Sequence, residues 1–309
     1  MANEVTYASL ESTGGRVASV LSALVLEQIY NPVDLRAIMQ FIPWDQSGSD
    51  TMDVTLDAIP SAFAAATSEI AGGAAFANSA YTTSKFQLVP ARHGRTYQVT
   101  DMVGVSGGPL DIDRVVQSLI NGVGLTMTDL ACGLFPSFTD QVGSTGVDLD
   151  VDKMYDAQFA LAINNSGSTG ALNCVLHPQQ MNDFITSLRA ETGAQQYVPA
   201  TAEMLQLRTG LAGTWNGITF WTSDKVETVN AAADYAGCLM AENAIAYTLG
   251  DVKRLQGYIP AQNILVDAGM LLVELSRDGT NGMSSAIANL YPAVAIREDA
   301  RGVEIVSDV

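Results

Sequence analysis

The sequence predicts an α+β fold in which an α/β unit interrupts a second unit of helix and sheet. Three observations carry that expectation. Residues 111–134 hold one long amphipathic helical pattern, residues 147–250 alternate helical and strand patterns, and residues 251–309 return to strands.

The long helix has Asp111 as its N-cap, with Pro109 ahead of it and Asp113 complementing the helix dipole. Ile112, Val115, Val116, Leu119, Ile120, Val123, Met127, Leu130, Ala131 and Leu134 form one apolar stripe before Pro136 ends it. At about 1.5 Å per residue the rod is roughly 36 Å long. Gly122, Gly124 and Gly133 weaken it in isolation, so packing must clamp it, with close backbone approach at the glycines.

In the α/β stretch, Asp150 caps a helix running to 163, and 172–176 is a buried strand. Pro178 then opens a helix with Met181, Phe184, Ile185 and Leu188 on one face. Thr201 caps a shorter helix through 207, a glycine loop spans 210–217, and a strand follows at 218–222. Runs 237–241 and 244–249 close the unit. In the tail, 270–275, 285–290, 294–297 and 303–306 are strand-like, with turns at Gly279, at Asn281 and Gly282, and at 299–302.

Upstream, residues 16–29 form a helix with Val17, Val20, Leu21, Leu24, Val25 and Gln28 on one sticky face, stopped by Asn31 and Pro32. Residues 33–50 are an extended arm. Runs 51–59, 85–89 and 95–99 are strand-like, and the Ala- and Gly-rich sequence between the first two cannot build its own core.

Composition sharpens this. The 309 residues include 33 Asp and Glu against 15 Lys and Arg, a net charge of −18. Charged residues are only 16%, where an average soluble chain has about 25%. Apolar residues are 48%, so what is missing is the charged coat. A monomeric enzyme normally carries a denser, mixed-sign surface, so this chain is expected to hide surface in other subunits. The acidic balance argues against a general nucleic-acid binder. Cys132, Cys174 and Cys238 make neither a disulfide framework nor a zinc motif and are expected to be buried thiols. The N-terminus lacks the basic region of a secretory signal, and the apolar run 17–26 is half a membrane span. A soluble protein of a reducing compartment is expected.

The charge is uneven. From 70 to 100 there is no carboxylate, while Lys85, Arg92 and Arg95 supply positive charge. That basic island is either a limb reaching onto an acidic neighbouring subunit or a solvated hairpin with scattered charges.

Chemical motifs are sparse. Gly104, Ser106 and Gly108 match the nucleophile elbow of a serine hydrolase, with His177 downstream. The elbow needs its helix to start at the serine, yet four residues intervene before Asp111. A flexible turn is the expectation, with a hydrolase using Ser106 as the remote alternative. Asp148, Asp150, Asp152 and Asp156 mimic half a calcium loop, but Lys153 stands where its glycine belongs and Phe159 where its bidentate Glu belongs. Cys174 and His177 lack a second ligand pair, and His93 lies in a turn of 92–95. No nucleotide-binding glycine motif occurs. Catalytic residues, cofactor and metal are therefore all expected to be none.

The order of elements resembles the major capsid protein fold of tailed bacteriophages, shared with encapsulins and the floor domain of herpesvirus capsids. Residues 85–101 look like the descending limb of that fold's extended loop, running into its spine helix. Leu176, His177 and Pro178 look like the strand-to-helix step of its axial domain, 210–223 like that domain's glycine turn and strand, and 273–278 with 286–297 like its closing peripheral strands. The resemblance implies an N-terminal arm (1–49), an extended loop (50–101), a peripheral domain (102–147 and 250–309, spine helix 111–134) and an axial domain (148–249).

It also implies a structural protein, not an enzyme. Its subunits would form hexamers and pentamers of an icosahedral shell around double-stranded DNA, assembled in the host cytoplasm, with no membrane and no sequence-specific DNA contact. The partners implied are further copies of the chain, a separate scaffolding protein, a portal and an optional cement protein. A loop starting near residue 50 leaves no room for the long scaffolding segment some relatives carry, which implies either a separate scaffold or a short arm removed or rearranged during maturation. Lys85 is the only lysine of the loop, and crosslinking through it is not expected. Lys85, Arg92 and Arg95 are the candidate contacts to an adjacent subunit. An encapsulin-like nanocompartment is the alternative.

Overall fold

The computed structural model describes residues 4–5, 33–44, 51–57, 83–100, 112–164, 170–190, 198–199, 211–252, 264–266, 271–278 and 283–308. The expected helices at 16–29 and 201–207, the Ala- and Gly-rich stretch before Lys85, the cap at Asp111 and the turn holding Ser106 lie outside these residues.

The first elements are β1 (Glu4–Val5), a 3-10 turn (Leu35–Ile38), β2 (Gln40–Phe41), β3 (Met52–Asp57), β4 (Thr83–Leu88), β5 (His93–Thr100) and the long helix α1 (Ile112–Cys132). Then come β6 (Gln141–Gly143), α2 (Val151–Asn164), β7 (Leu172–Leu176), α3 (Pro178–Ala190), β8 (Val198–Pro199), β9 (Leu211–Trp215) and β10 (Ile218–Thr222). The chain closes with β11 (Thr228–Val229), β12 (Asp234–Met240), β13 (Ile245–Leu249), β14 (Ile264–Val266), β15 (Leu271–Asp278), β16 (Met283–Leu290), β17 (Pro292–Ile296) and β18 (Gly302–Asp308).

The largest sheet runs β6-β18-β12-β7-β10-β9-β8. β7 and β10 pair in parallel, as an α/β crossover requires, and α2 and α3 pack on this sheet. Leu149, Met154, Leu161, Met181, Phe184, Trp215 and Phe220 fill the core between helices and sheet. Asp150 caps α2 as its position predicts, its Oδ1 accepting the Lys153 amide at 2.8 Å. The run 210–217, expected as a glycine loop, instead contains β9. Asn216 and Gly217, both at positive φ, turn the chain in two residues so that Trp215 pairs with Ile218.

Strands β6 and β18 lie outside residues 148–249, yet they belong to this sheet. β18 pairs antiparallel with β12 over seven residues, Asp234↔Asp308 through Met240↔Gly302. The inserted unit therefore draws its sheet from both flanks, which a boundary read from local pattern does not anticipate.

A second core forms around α1. Leu119, Val123, Met127, Ala131 and Phe135 pack with Leu35, Trp221, Ile245, Leu271, Val273 and Leu290. Residues 33–44 are thus not simply an extended arm. Leu35 is fully buried, its amide donates to Thr128 Oγ1 on α1 at 3.3 Å, and that hydroxyl donates to the Val33 carbonyl at 2.6 Å. Gly124 faces this segment, and an added Cβ there would make ordinary contact with Asp34 Oδ2 at 3.6 Å.

Two further sheets flank this core, β1-β5-β16-β15-β14 and β17-β13-β2, and β3 with β4 forms a separate hairpin. No helix among the described residues is long and apolar enough to cross a membrane.

Candidate inter-subunit surface

The basic limb is built on β4 and β5. In the β3–β4 hairpin Lys85 stands opposite Thr55, exposed, while Leu88 and Met52 turn inward onto Ala293 of β17. Period-2 alternation does this: the residue that anchors the strand and the cation that faces outward lie on opposite faces. Beyond Leu88 the chain is tied down by the Ala91 amide, which donates to the Pro292 carbonyl at 3.1 Å.

Arg92 follows. Its Nε and Nη2 both donate to Asn289 Oδ1, at 2.9 and 2.7 Å. Since the acceptor is neutral, the guanidinium keeps its full charge. His93, expected in a turn, instead opens β5 and pairs with Leu290. Gly94 makes that pairing fit, because a Cβ there would stand 2.8 Å from the Ala288 carbonyl oxygen. Arg95 is exposed, its guanidinium carbon 5.1 Å from the centre of the Tyr97 ring, and the Tyr97 hydroxyl lies 3.2 Å from Ser118 Oγ on α1. Among the described residues none of Lys85, Arg92 and Arg95 has a carboxylate within ion-pairing distance.

Between β5, β15, β16 and α1 lies a cleft of about 420 Å³, rimmed by His93, Arg95, Ser118 and Thr126 over a floor that includes Leu119 and Leu271. Gly122 faces it with open space where a side chain would stand.

The other chemistry-bearing residues are occupied structurally. Cys132, Cys174 and Cys238 are free and buried, and burial holds each thiol protonated, Cys132 pushed up to about 12. His177 stacks on Tyr235 with ring centres 3.7 Å apart, and its Nδ1 accepts the Gln179 amide at the start of α3. Burial lowers its pKa, with Asp224 opposing. Among the described residues no cluster of three His, Cys, Asp or Glu side chains is placed to hold a metal ion. Sequence reading missed Gln180, a fully buried amide on α3. Its Nε2 reaches Ser307 Oγ at 2.9 Å and the carbonyls of Tyr235 and Ile305, stapling the helix to β12 and β18. A Gln on an otherwise apolar helical face was the available signal.

No protein-family model matches the chain, and no curated protein matches it in sequence. Solved structures do. The capsid of the cyanophage P-SCSP1u aligns at a TM-score of 0.62 with 10% identity, covering 92% of this chain and 91% of that one. The capsid of Ralstonia phage GP4 aligns at 0.61 with 7% identity, covering 90% and 92%. The holo-SrpI encapsulin complex from Synechococcus elongatus aligns at 0.55 with 13% identity, covering 88% and 85%. The architecture is thus the mixed α+β major capsid fold of tailed phages and encapsulins, as the order of elements implied.

Proposed function

We propose that this chain is a shell-forming structural protein, the major capsid subunit of a tailed bacteriophage. The observation that carries the reading is the fold match at about nine-tenths of both chains to phage capsid proteins. The subunit forms hexamers and pentamers that close into an icosahedral shell around double-stranded DNA. It works without enzymatic chemistry, alongside a separate scaffolding protein, a portal and an optional cement protein, and it is assembled in the host cytoplasm. Residues 1–49 act as the arm, 50–101 as the extended loop, 102–147 with 250–309 as the peripheral domain, and 148–249 as the axial domain, whose sheet β6 and β18 complete. Lys85 and Arg95, with the charge of Arg92, meet an acidic face of the adjacent copy, and the deficit of surface charge is met by burial between copies. An acidic inner wall lets the genome slide instead of sticking.

Electron microscopy of the purified protein, with and without its scaffold, tests this. Closed shells are expected, and monomers under every condition would refute it. The encapsulin match favours one alternative, a nanocompartment around a cargo enzyme. Nucleic acid inside purified particles supports the phage reading, and a packaged enzyme the other.

A further inference from the structure

Helix α2 carries its apolar residues on two faces. Val151, Met154, Ala157 and Leu161 point into the core, as an amphipathic helix should. Tyr155, Phe159 and Ile163, spaced by four, lie on the outer face and are 40%, 68% and 62% exposed. Ala162 joins them, and Asp152 and Asp156 lie exposed along the same face. Tyr155 also packs edge-on against the buried Trp215, ring centres 5.1 Å apart, whereas Phe159 and Ile163 are mostly open to solvent, and an apolar stripe so exposed marks a contact.

We infer that this outer face of α2 is buried against a second copy of the chain, in a head-to-tail contact that joins neighbouring inserted units of the shell. The inference rests on the shell reading above and adds the place of one seam. Area and charge identify the occupant. Three side chains bury far less than the roughly 800 Å² per partner of a stable binary complex. A contact that small is useful where a subunit is held at several points at once, as in a closed shell. Asp152 and Asp156 on this face call for a mating surface that carries cations, a different surface of the second copy, and such heterologous contacts close into rings. The chain itself supplies the complement. Arg189 at the end of α3, like Lys85 and Arg95, is an exposed cation with no carboxylate partner among the described residues.

Two measurements test it. Hydroxyl-radical footprinting of the wild-type protein, unassembled and as shells, should show Tyr155 and Phe159 protected several-fold only in shells. Equal labelling in both states overturns the seam while leaving the shell reading intact. Protection that appears only when another virion protein is added overturns the second copy as occupant. The variant F159S/I163S should keep the circular dichroism and Tm of the wild-type subunit, because both side chains are exposed, and should raise the protein concentration needed for shells about tenfold or more. Shells at the wild-type threshold overturn the inference; should the variant unfold, footprinting decides alone. A wild-type protein that never assembles refutes the shell reading itself.

Discussion

Arg92 is bound to Asn289: two guanidinium nitrogens converge on one amide oxygen, at 2.9 and 2.7 Å. The bond fastens the link between hairpin and sheet to the end of β16, where Asn289 is 4% exposed and pairs with Gly94. One cation of the basic island is thereby a fold residue as well as a charge.

That separates two effects a charge reversal of the whole island would mix. Asn289→Ala should cost about 1–2 kcal/mol in thermal or denaturant unfolding, and Arg92→Ala a similar amount, with the double variant little worse than either single. Additive losses would show that the pair does not act as a unit. K85E/R95E should instead cost the subunit no more than about 1 kcal/mol, the loss of the exposed Arg95–Tyr97 contact, and impair assembly in a salt-dependent way, read by light scattering.

The Thr128 hydroxyl holds the segment at Val33 and Leu35 against α1. Thr128→Val keeps the shape and strands a carbonyl and an amide, an expected loss of about 1–3 kcal/mol. Hydrogen exchange at the Leu35 amide should accelerate, while amides of α2 and α3, in the other core, should not. Unchanged exchange at Leu35 would remove Thr128 as the anchor.

Much of this architecture was legible from local pattern. The apolar stripe of α1, the cap at Asp150 and strand β7 followed by Pro178 are one-segment signals, settled by 3.6 or 2.0 periodicity and by capping chemistry. What pattern cannot supply is the neighbour. Val303, Ile305 and Val306 read as a strand, but nothing local says that their partners are Leu239, Gly237 and Ala236, more than sixty residues away, and not the strands just before them. β9 was missed for another reason. Gly210 and Gly213 suggested a loop, while Asn216 and Gly217, a strong hairpin signal, carried the turn alone. The candidate surface was half legible. A carboxylate-free run is visible in composition, whereas the Arg92–Asn289 bond spans 197 positions and the outer face of α2 reads as an ordinary apolar helix until the sheet defines which side is inside.

Gly143 sits at φ +100° in β6, where a Cβ would stand 2.0 Å from the Val306 carbonyl oxygen. Gly143→Ala meets both backbone strain and a backbone clash and should cost about 3 kcal/mol or more, enough to leave most of the protein insoluble. Gly146, at φ +72° with open space around it, isolates the strain alone. Gly146→Ala should cost about 1–2 kcal/mol. Equal losses in the two variants, measured by denaturant unfolding, would show that the approach to β18 is not what β6 requires of Gly143.

Glu304 is the last test, because it places a carboxylate in the middle of β18, 7% exposed, between β12 and β6. Its amide donates to the Asp140 carbonyl, but among the described residues no cation or hydrogen-bond donor meets its carboxylate. Burial raises its pKa above the ordinary 4.5. A carboxyl held more tightly protonated in the fold favours folding below the unfolded-state pKa, and that contribution is lost as pH rises through the folded-state value. At neutral pH the ionised group therefore costs stability. Glu304→Gln should raise Tm at pH 7 by about 2 °C or more, and the gain should vanish near about pH 4, where the wild-type side chain is neutral. A loss at pH 7 would mean that the carboxylate has a partner in the assembled or folded protein, and the same variant tested in shells and in free subunits would tell which.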